Sequence, residues 1–307
     1  MVALVVWGLK VFHHHIGRSR VSIIVLSIAS AASYGLAAVL QHHAAIGEPP
    51  EMSVRVGLLV RLARRPMWLV GNALDGVGYL FQFLALRRGS LALVEPLLVL
   101  SLVFALPVAA RLEHRRIAGS EVWSAVVTVA GLSLFLQVAR PALGHPTASG
   151  QAWLILSAVI AALCGAMALG ARAGSRPRAA LLYSAASGTA FGYVAALTER
   201  TGHLLDRGAL HTLGTWPPYA LVAAAIVALA LTQSGFQAGV LRLSLPTLTI
   251  AQPLVALVIG IGFFGERVNA RGVAPALEAL GIVMMTFGVY SLARSPVIAS
   301  PVVRREP

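Results

Sequence analysis

Residues 91–100 read LALVEPLLVL, and residues 248–257 read LTIAQPLVAL. Each is an apolar stretch with a polar residue followed by proline, Glu95–Pro96 in the first and Gln252–Pro253 in the second. Both copies run downstream into a polar turn, RLEHRR at 111–116 and GERVNAR at 265–271. Each then continues through a final glycine-containing apolar run to a similar tail, VARP at 138–141 and LARSP at 292–296. The chain therefore contains a long, weak repeat, and this repeat decides the fold.

Working outward, the apolar runs set the scale. A helix crossing a bilayer needs about 20 apolar residues. Nine segments meet that length, at 21–44, 66–87, 90–111, 118–139, 151–171, 179–199, 217–240, 244–264 and 271–293. The repeat unit is then four spans, the first to fourth and the sixth to ninth, with the fifth between them. An odd insertion flips the second unit across the membrane. The expectation is an all-α polytopic membrane protein, with about nine transmembrane helices forming two inverted four-helix repeats plus one linking helix. The divisions are a 1–20 N-terminal extension, a first repeat over 21–139, a linking span over 140–177, a second repeat over 178–293 and a 294–307 tail. Inverted repeats are a recurring architecture of secondary transporters, with the substrate site where the repeats meet.

Composition agrees. Of 307 residues, 58% are hydrophobic and 11% charged, against about 25% charged in soluble domains. The mean hydropathy is +0.81. This excludes a soluble enzyme and a disordered chain, and the single Cys164 excludes an intrachain disulfide. The net charge of +13 lies between apolar runs rather than in clusters, which points to membrane loops and not to nucleic acid. Counted by loop, 14 of the 24 Lys and Arg fall on the side of the C-terminus and 10 on the other. The positive-inside rule then puts the C-terminus in the cytoplasm of a multi-pass plasma-membrane protein. Residues 45–65 alternate arginine with leucine and valine and read as interfacial. His13, His14 and His15 could bind a metal, but no second ligand cluster accompanies them, and a solvated extension is the simpler reading. No Walker, Ser-His-Asp, HExxH or CxxC pattern occurs, so no enzyme activity and no cofactor are expected.

Polar side chains inside the spans are the candidate site, because burying them in hydrocarbon is costly. Asn72, Asp75, Tyr79 and Gln82 follow 3–4–3 spacing and share one helix face. They read as a pore-facing stripe with Asp75 as proton or cation acceptor, or else as a buried hydrogen-bond cluster. Glu95 beside Pro96 is a second coupling candidate, since proline leaves carbonyls near residue 92 without a donor. The alternative is an ion pair of Glu95 with Arg87 or Arg88. Gln233 and Gln237, at i and i+4, and Gln252 beside Pro253 are cavity-lining candidates, or helix–helix adhesives. Pro96 and Pro253 are expected to kink their helices near the centre. Glu113, Glu121 and Glu266 sit at turns and read as interfacial, Glu278 as structural, and His42 and His43 as lying at the headgroups.

The proline-bearing third span, the GER turn at 265–267 and the repeat itself resemble the drug/metabolite transporter superfamily, in its EamA-like group. The four–one–four span count, and the run WLVGNALDGVGYLFQFLALRRGSLALVEPLLVL at 68–100, are similar to the NIPA-like magnesium transporter branch. Glu95 departs from that branch, where a small or hydroxyl residue is expected before the proline. The Arg-rich stretch 51–65 departs too, standing where the first repeat would carry another span. The resemblance implies secondary active transport of a small solute or metabolite by alternating access, with proton coupling one option. The rivals are a divalent-cation transporter and a scaffold or accessory subunit that carries nothing.

Overall fold

In lipid no water is present to satisfy backbone N–H and C=O groups, so a crossing segment must satisfy its own, and does so as a helix. The computed structural model describes residues 18–45, 65–112, 114, 116–142, 144, 149–237, 241–269 and 271–293, and it is all-helical. The helices are α1 (Arg18–Ala45), α2 (Pro66–Leu86), α3 (Leu91–Leu98), α4 (Leu100–Leu112), α5 (Gly119–Ala139) and α6 (Gly150–Arg172). They continue as α7 (Arg176–Leu205), α8 (Ala209–Leu213), α9 (Pro217–Gln237), α10 (Leu241–Gly262) and α11 (Ala274–Ala293). Among the described residues seven crossings are long and apolar enough to span a membrane: α1, α2, α3 with α4, α5, α6, α7 and α11. In α9 and α10 the apolar stretches are shorter, Pro217–Thr232 and Pro246–Gly262. The stretch 46–64 and the His13–His15 segment lie outside the described residues, as do the side chains of His42 and His43.

Local chemistry places the helix ends. Pro66 and Pro177 stand in the first turns of α2 and α7, where a missing N–H costs nothing. Ser149 caps α6, its hydroxyl accepting from the Ala152 amide at 3.2 Å. Glu121 turns back on its own helix start and accepts from the Ala118 amide at 2.8 Å. It is buried, not interfacial as its place at a turn suggests. The helix that carries Pro96 ends two residues beyond it, at Leu98. The third crossing is interrupted at Val99, whose amide, like that of Leu102, reaches back only three residues. Pro253, by contrast, sits inside an unbroken α10.

The crossings alternate in direction, because their ends collect at one face. The Arg20 guanidinium, at the start of α1, donates to the Pro141 carbonyl just after α5. Arg87, after α2, pairs with Asp206, after α7. Ala142 and Arg267 exchange two backbone hydrogen bonds of 3.0 and 3.2 Å in an isolated antiparallel bridge. Away from this face α1 packs on α2, α3 and α4; α7 packs on α9 and α10; α3 meets α10; and α5 meets α11. The fifth crossing, α6, leans on α7 alone among its major contacts. Its outer side carries Leu154, Ile155, Val159, Leu163 and Leu169, all exposed. Its inner end is anchored by Trp153, which packs edge-on against Trp216 and Phe263 with centroids 5.5 and 5.0 Å away. Apolar bands of that extent suit lipid and not water, and the molecule is a helical, membrane-embedded protein.

Small residues set the closest helix contacts, as expected where lipid removes the hydrophobic drive between helices. At the α5–α11 crossing, a Cβ added to Gly131 would lie 2.7 Å from the Gly281 carbonyl oxygen, and one added to Gly281 would lie 2.9 Å from that of Gly131. Both obstacles are backbone and cannot swing aside. Gly131→Leu should destabilise the detergent-solubilised protein by about 1–3 kcal/mol or more, the scale of overpacking. Gly76→Ala, with nothing within 4 Å, should cost nothing. Thermal unfolding of the two variants side by side checks this.

Candidate functional site

The polar residues that meet do so where α1, α2, α3 and α10 converge. Glu95 lies in the second turn of α3 and is 1% exposed. Its Oε1 accepts from Gln82 Nε2 at 2.8 Å, and its Oε2 accepts from Gln252 Nε2 at 3.0 Å. The Gln82 carbonyl accepts in turn from the Tyr34 hydroxyl at 2.7 Å. The result is a chain of four side chains, Tyr34–Gln82–Glu95–Gln252, each from a different helix. Gly78 makes room for it, since a Cβ there would lie 2.9 Å from the Tyr34 ring. Ser30 fixes the same contact by donating to the Gly78 carbonyl at 2.7 Å.

Of the stripe on α2, only Gln82 joins this chain. Tyr79 turns to α7, its hydroxyl 3.3 Å from Thr198 Oγ1. Asn72 is exposed and folds back, its Nδ2 donating to the Trp68 carbonyl at 2.9 Å. Asp75 is half-buried between them. One helix face thus spreads over three environments. The alternative pairing of Glu95 with Arg87 or Arg88 is not what forms: Arg87 Nε donates to Asp206 Oδ1 at 2.9 Å, and two amides hold Glu95. Gln233 and Gln237 fall near the end of α9, and their side chains lie outside the described residues. Among the described residues no three His, Cys, Asp or Glu gather as metal ligands.

Glu266 corrects the sequence reading most. It is buried, and its two oxygens accept the Leu91 and Ala92 amides at 2.7 and 2.9 Å. Those are the first N–H groups of α3, which have no partner within the helix, and a carboxylate there also meets the positive end of the helix dipole. Each residue of the GER turn has its task. Gly265 takes a left-handed φ of 63°, Glu266 holds α3, and the Arg267 backbone bridges to Ala142. Burial pushes the Glu266 carboxyl up to about 8, the nearby Glu199 carboxylate adds to the rise, and the two amide bonds oppose it. Glu199, in the last turns of α7, is 3% exposed. Its Oε1 lies 3.8 Å from His203 Nε2, while its Oε2 has no hydrogen-bond partner. Tyr34, Thr198 and Glu199 were missed from sequence. Their only signals are a hydroxyl inside the first apolar run, for Tyr34, and a hydroxyl and a carboxyl at the edge of the sixth, for Thr198 and Glu199.

A protein of Corynebacterium glutamicum, described as uncharacterized, is 31% identical to this chain over 286 residues, covering 92% of this chain and 98% of the relative. The chain belongs to that protein's family. The similarity runs nearly end to end in both chains. No family model matches the chain, and no solved structure matches it.

Breaking the chain of side chains should be costly. Gln82→Leu removes the donor to Glu95 Oε1 and the acceptor for Tyr34 while nearly preserving volume. Each buried polar group left unsatisfied costs about 1–3 kcal/mol. Gln82→Leu should therefore melt well below wild type in detergent, and Gln82→Leu combined with Tyr34→Phe should recover part of the loss.

Proposed function

We propose that the protein is a secondary active transporter of a small solute, working by alternating access, with two inverted four-helix repeats around a central site. One observation carries this reading. Glu95 and Gln252, which occupy matching places in the two sequence repeats, touch each other. In a two-fold arrangement residue i meets j and j meets i, so residues on the axis meet their own counterparts. The last helices of the two repeats, α5 and α11, likewise pack on each other. The helix pairing supports it too: α1 packs on α2 and on α3 with α4, as α7 packs on α9 and α10. In this reading α9 and α10 complete nine crossings, α6 links the repeats, and the C-terminus is cytoplasmic. The resemblance to the drug/metabolite superfamily points the same way. Glu95 is the coupling group and Gln82 and Gln252 hold it. Asp75, half-buried beside the same helix junction, is a second group able to take a proton or cation.

One observation favours the rival scaffold. Both Glu95 oxygens are satisfied by amides of other helices, as in a structural adhesive. Transport decides between them. The purified chain in liposomes, tested for uptake and efflux of amino acids, nucleobases, organic cations and magnesium with and without a pH gradient, should move at least one class. Glu95→Gln and Asp75→Asn should insert and fold, and at least one should abolish gradient-driven flux. A wild-type protein inert to the panel, or both variants behaving as wild type, would favour the scaffold.

Orientation has its own test. A fluorescent protein fused after Pro307 should glow, and a phosphatase that needs the oxidising exterior should stay silent at the same position. The reverse pattern would invert the topology.

A further inference from the structure

We propose that Arg20, Arg140, Arg267 and Arg271 form a binding site for the headgroup of an anionic phospholipid. The site lies at the corner where the start of α1, the end of α5 and the turn between α10 and α11 meet. It does not rest on the transporter reading.

Hydrogen bonds across the corner bring the four arginines together. The Arg20 guanidinium donates to the Pro141 carbonyl and, at 3.5 Å, to that of Arg140. The Ala142 and Arg267 backbones exchange bonds of 3.0 and 3.2 Å, and the Asn269 amide donates to the Ala139 carbonyl at 2.9 Å. Asn269 Oδ1 accepts in turn from the Arg271 amide at 3.3 Å. Residues 139–142 and 267–271 therefore run side by side, with Arg20 laid against them. Arg140, Arg267 and Arg271 are exposed.

The charge gathered here is not spent on protein acids. Both oxygens of Glu266, the acid beside Arg267, accept α3 amides, and Asp206 faces Arg87. The bonds that Arg20 and Arg140 make go to carbonyls, Arg140 Nε donating to that of Gln137 at 3.4 Å. A carbonyl leaves the cation's charge intact. The backbone adds a second sign. Arg140 ends α5 in the left-handed region, with φ 42° and ψ 56°. Glycine is the ordinary occupant of that place, because a side chain there is strained. Strain of this kind collects at functional positions, and here it holds a cation where glycine would fold better.

The surroundings select a lipid. The corner stands at the ends of crossing helices, at headgroup depth. Below it Val273, just before α11, and Leu277 and Leu280 within it fall on one helix face, and all three are exposed. Val258 and Ile261, also exposed, approach from α10. A phospholipid fits both parts, with its phosphate among guanidiniums that fork onto paired oxygens and its acyl chains along the aliphatic stripe. A zwitterionic headgroup would bring a further cation into the corner. A free phosphate ion would leave the stripe uncovered.

Native mass spectrometry of the full-length protein, with phosphatidylglycerol or phosphatidylcholine at equal concentration, tests this. The first phosphatidylglycerol should bind more tightly than phosphatidylcholine. An arginine near an anionic lipid is worth about fivefold in binding, so Arg140→Gln/Arg267→Gln should weaken it about 25-fold. The backbone bonds of the corner do not use these two side chains, and Arg20, which does hold α1 to the corner, is left in place. Arg140→Gly should lose about fivefold in lipid binding and yet melt no lower than wild type, since glycine suits its backbone. Arg207→Gln removes the same charge from an exposed site elsewhere on this face and should bind lipid as wild type does. No preference for phosphatidylglycerol, or a loss in Arg207→Gln equal to that in Arg140→Gly, would overturn the proposal. Displacement of the lipid by inorganic phosphate at equal concentration would also overturn it, and would make the corner a site for the free ion.

Discussion

A carboxyl group has been placed where four helices cross, and the bundle is arranged around satisfying it. Glu95 has no room for solvent, so its hydrogen bonds must come from protein. Its own helix cannot supply them, because α3 has already committed its backbone. The donors therefore arrive from α2 and α10, and the Gln82 amide must be oriented in turn by Tyr34 on α1. Small residues let those helices come close enough: Gly78 beneath the Tyr34 ring, and Gly188 and Gly192 where α7 lies against α10. A single buried acid thus fixes the rotation of three neighbouring helices.

The sequence made the helices legible, since apolar length alone dictates a crossing in lipid. It also singled out Glu95, Gln82 and Gln252, because each is a polar residue among apolar ones. It did not reveal which polar residues would meet. Asn72, Asp75, Tyr79 and Gln82 share a helix face, but a face 15 Å long by helix rise, roughly three turns, passes several neighbours. Tyr79 found α7 and Gln82 found α3, while Asn72 found only its own preceding turn. Helical periodicity fixes direction and says nothing of what lies there.

Glu266 was misread for a related reason. A charged residue in a polar turn is ordinarily solvated, and nothing in GER distinguishes a capping glutamate from an exposed one. The partner is 174 residues away in sequence, so no local signal could reveal it. The same holds for Glu199, which ends an otherwise uncharged run and passes for the boundary of a span. The repeat is a reading of the sequence, and the Glu95–Gln252 hydrogen bond joins the two polar residues that precede its prolines.

The helix α7, which carries Glu199 near its end, has 30 residues. At 1.5 Å per residue it is about 45 Å long, against roughly 30 Å of hydrocarbon. Such a mismatch is relieved by tilt, by local thickening of the bilayer, or by carrying the surplus turns into the headgroup layer. Glu199 and His203 lie in its last two turns, so their depth is set partly by the lipid. A bilayer of longer acyl chains draws them toward hydrocarbon, and one of shorter chains lifts them toward water. Membrane thickness thereby acts on the dielectric around these two residues, and host lipid composition becomes a property the protein's chemistry responds to.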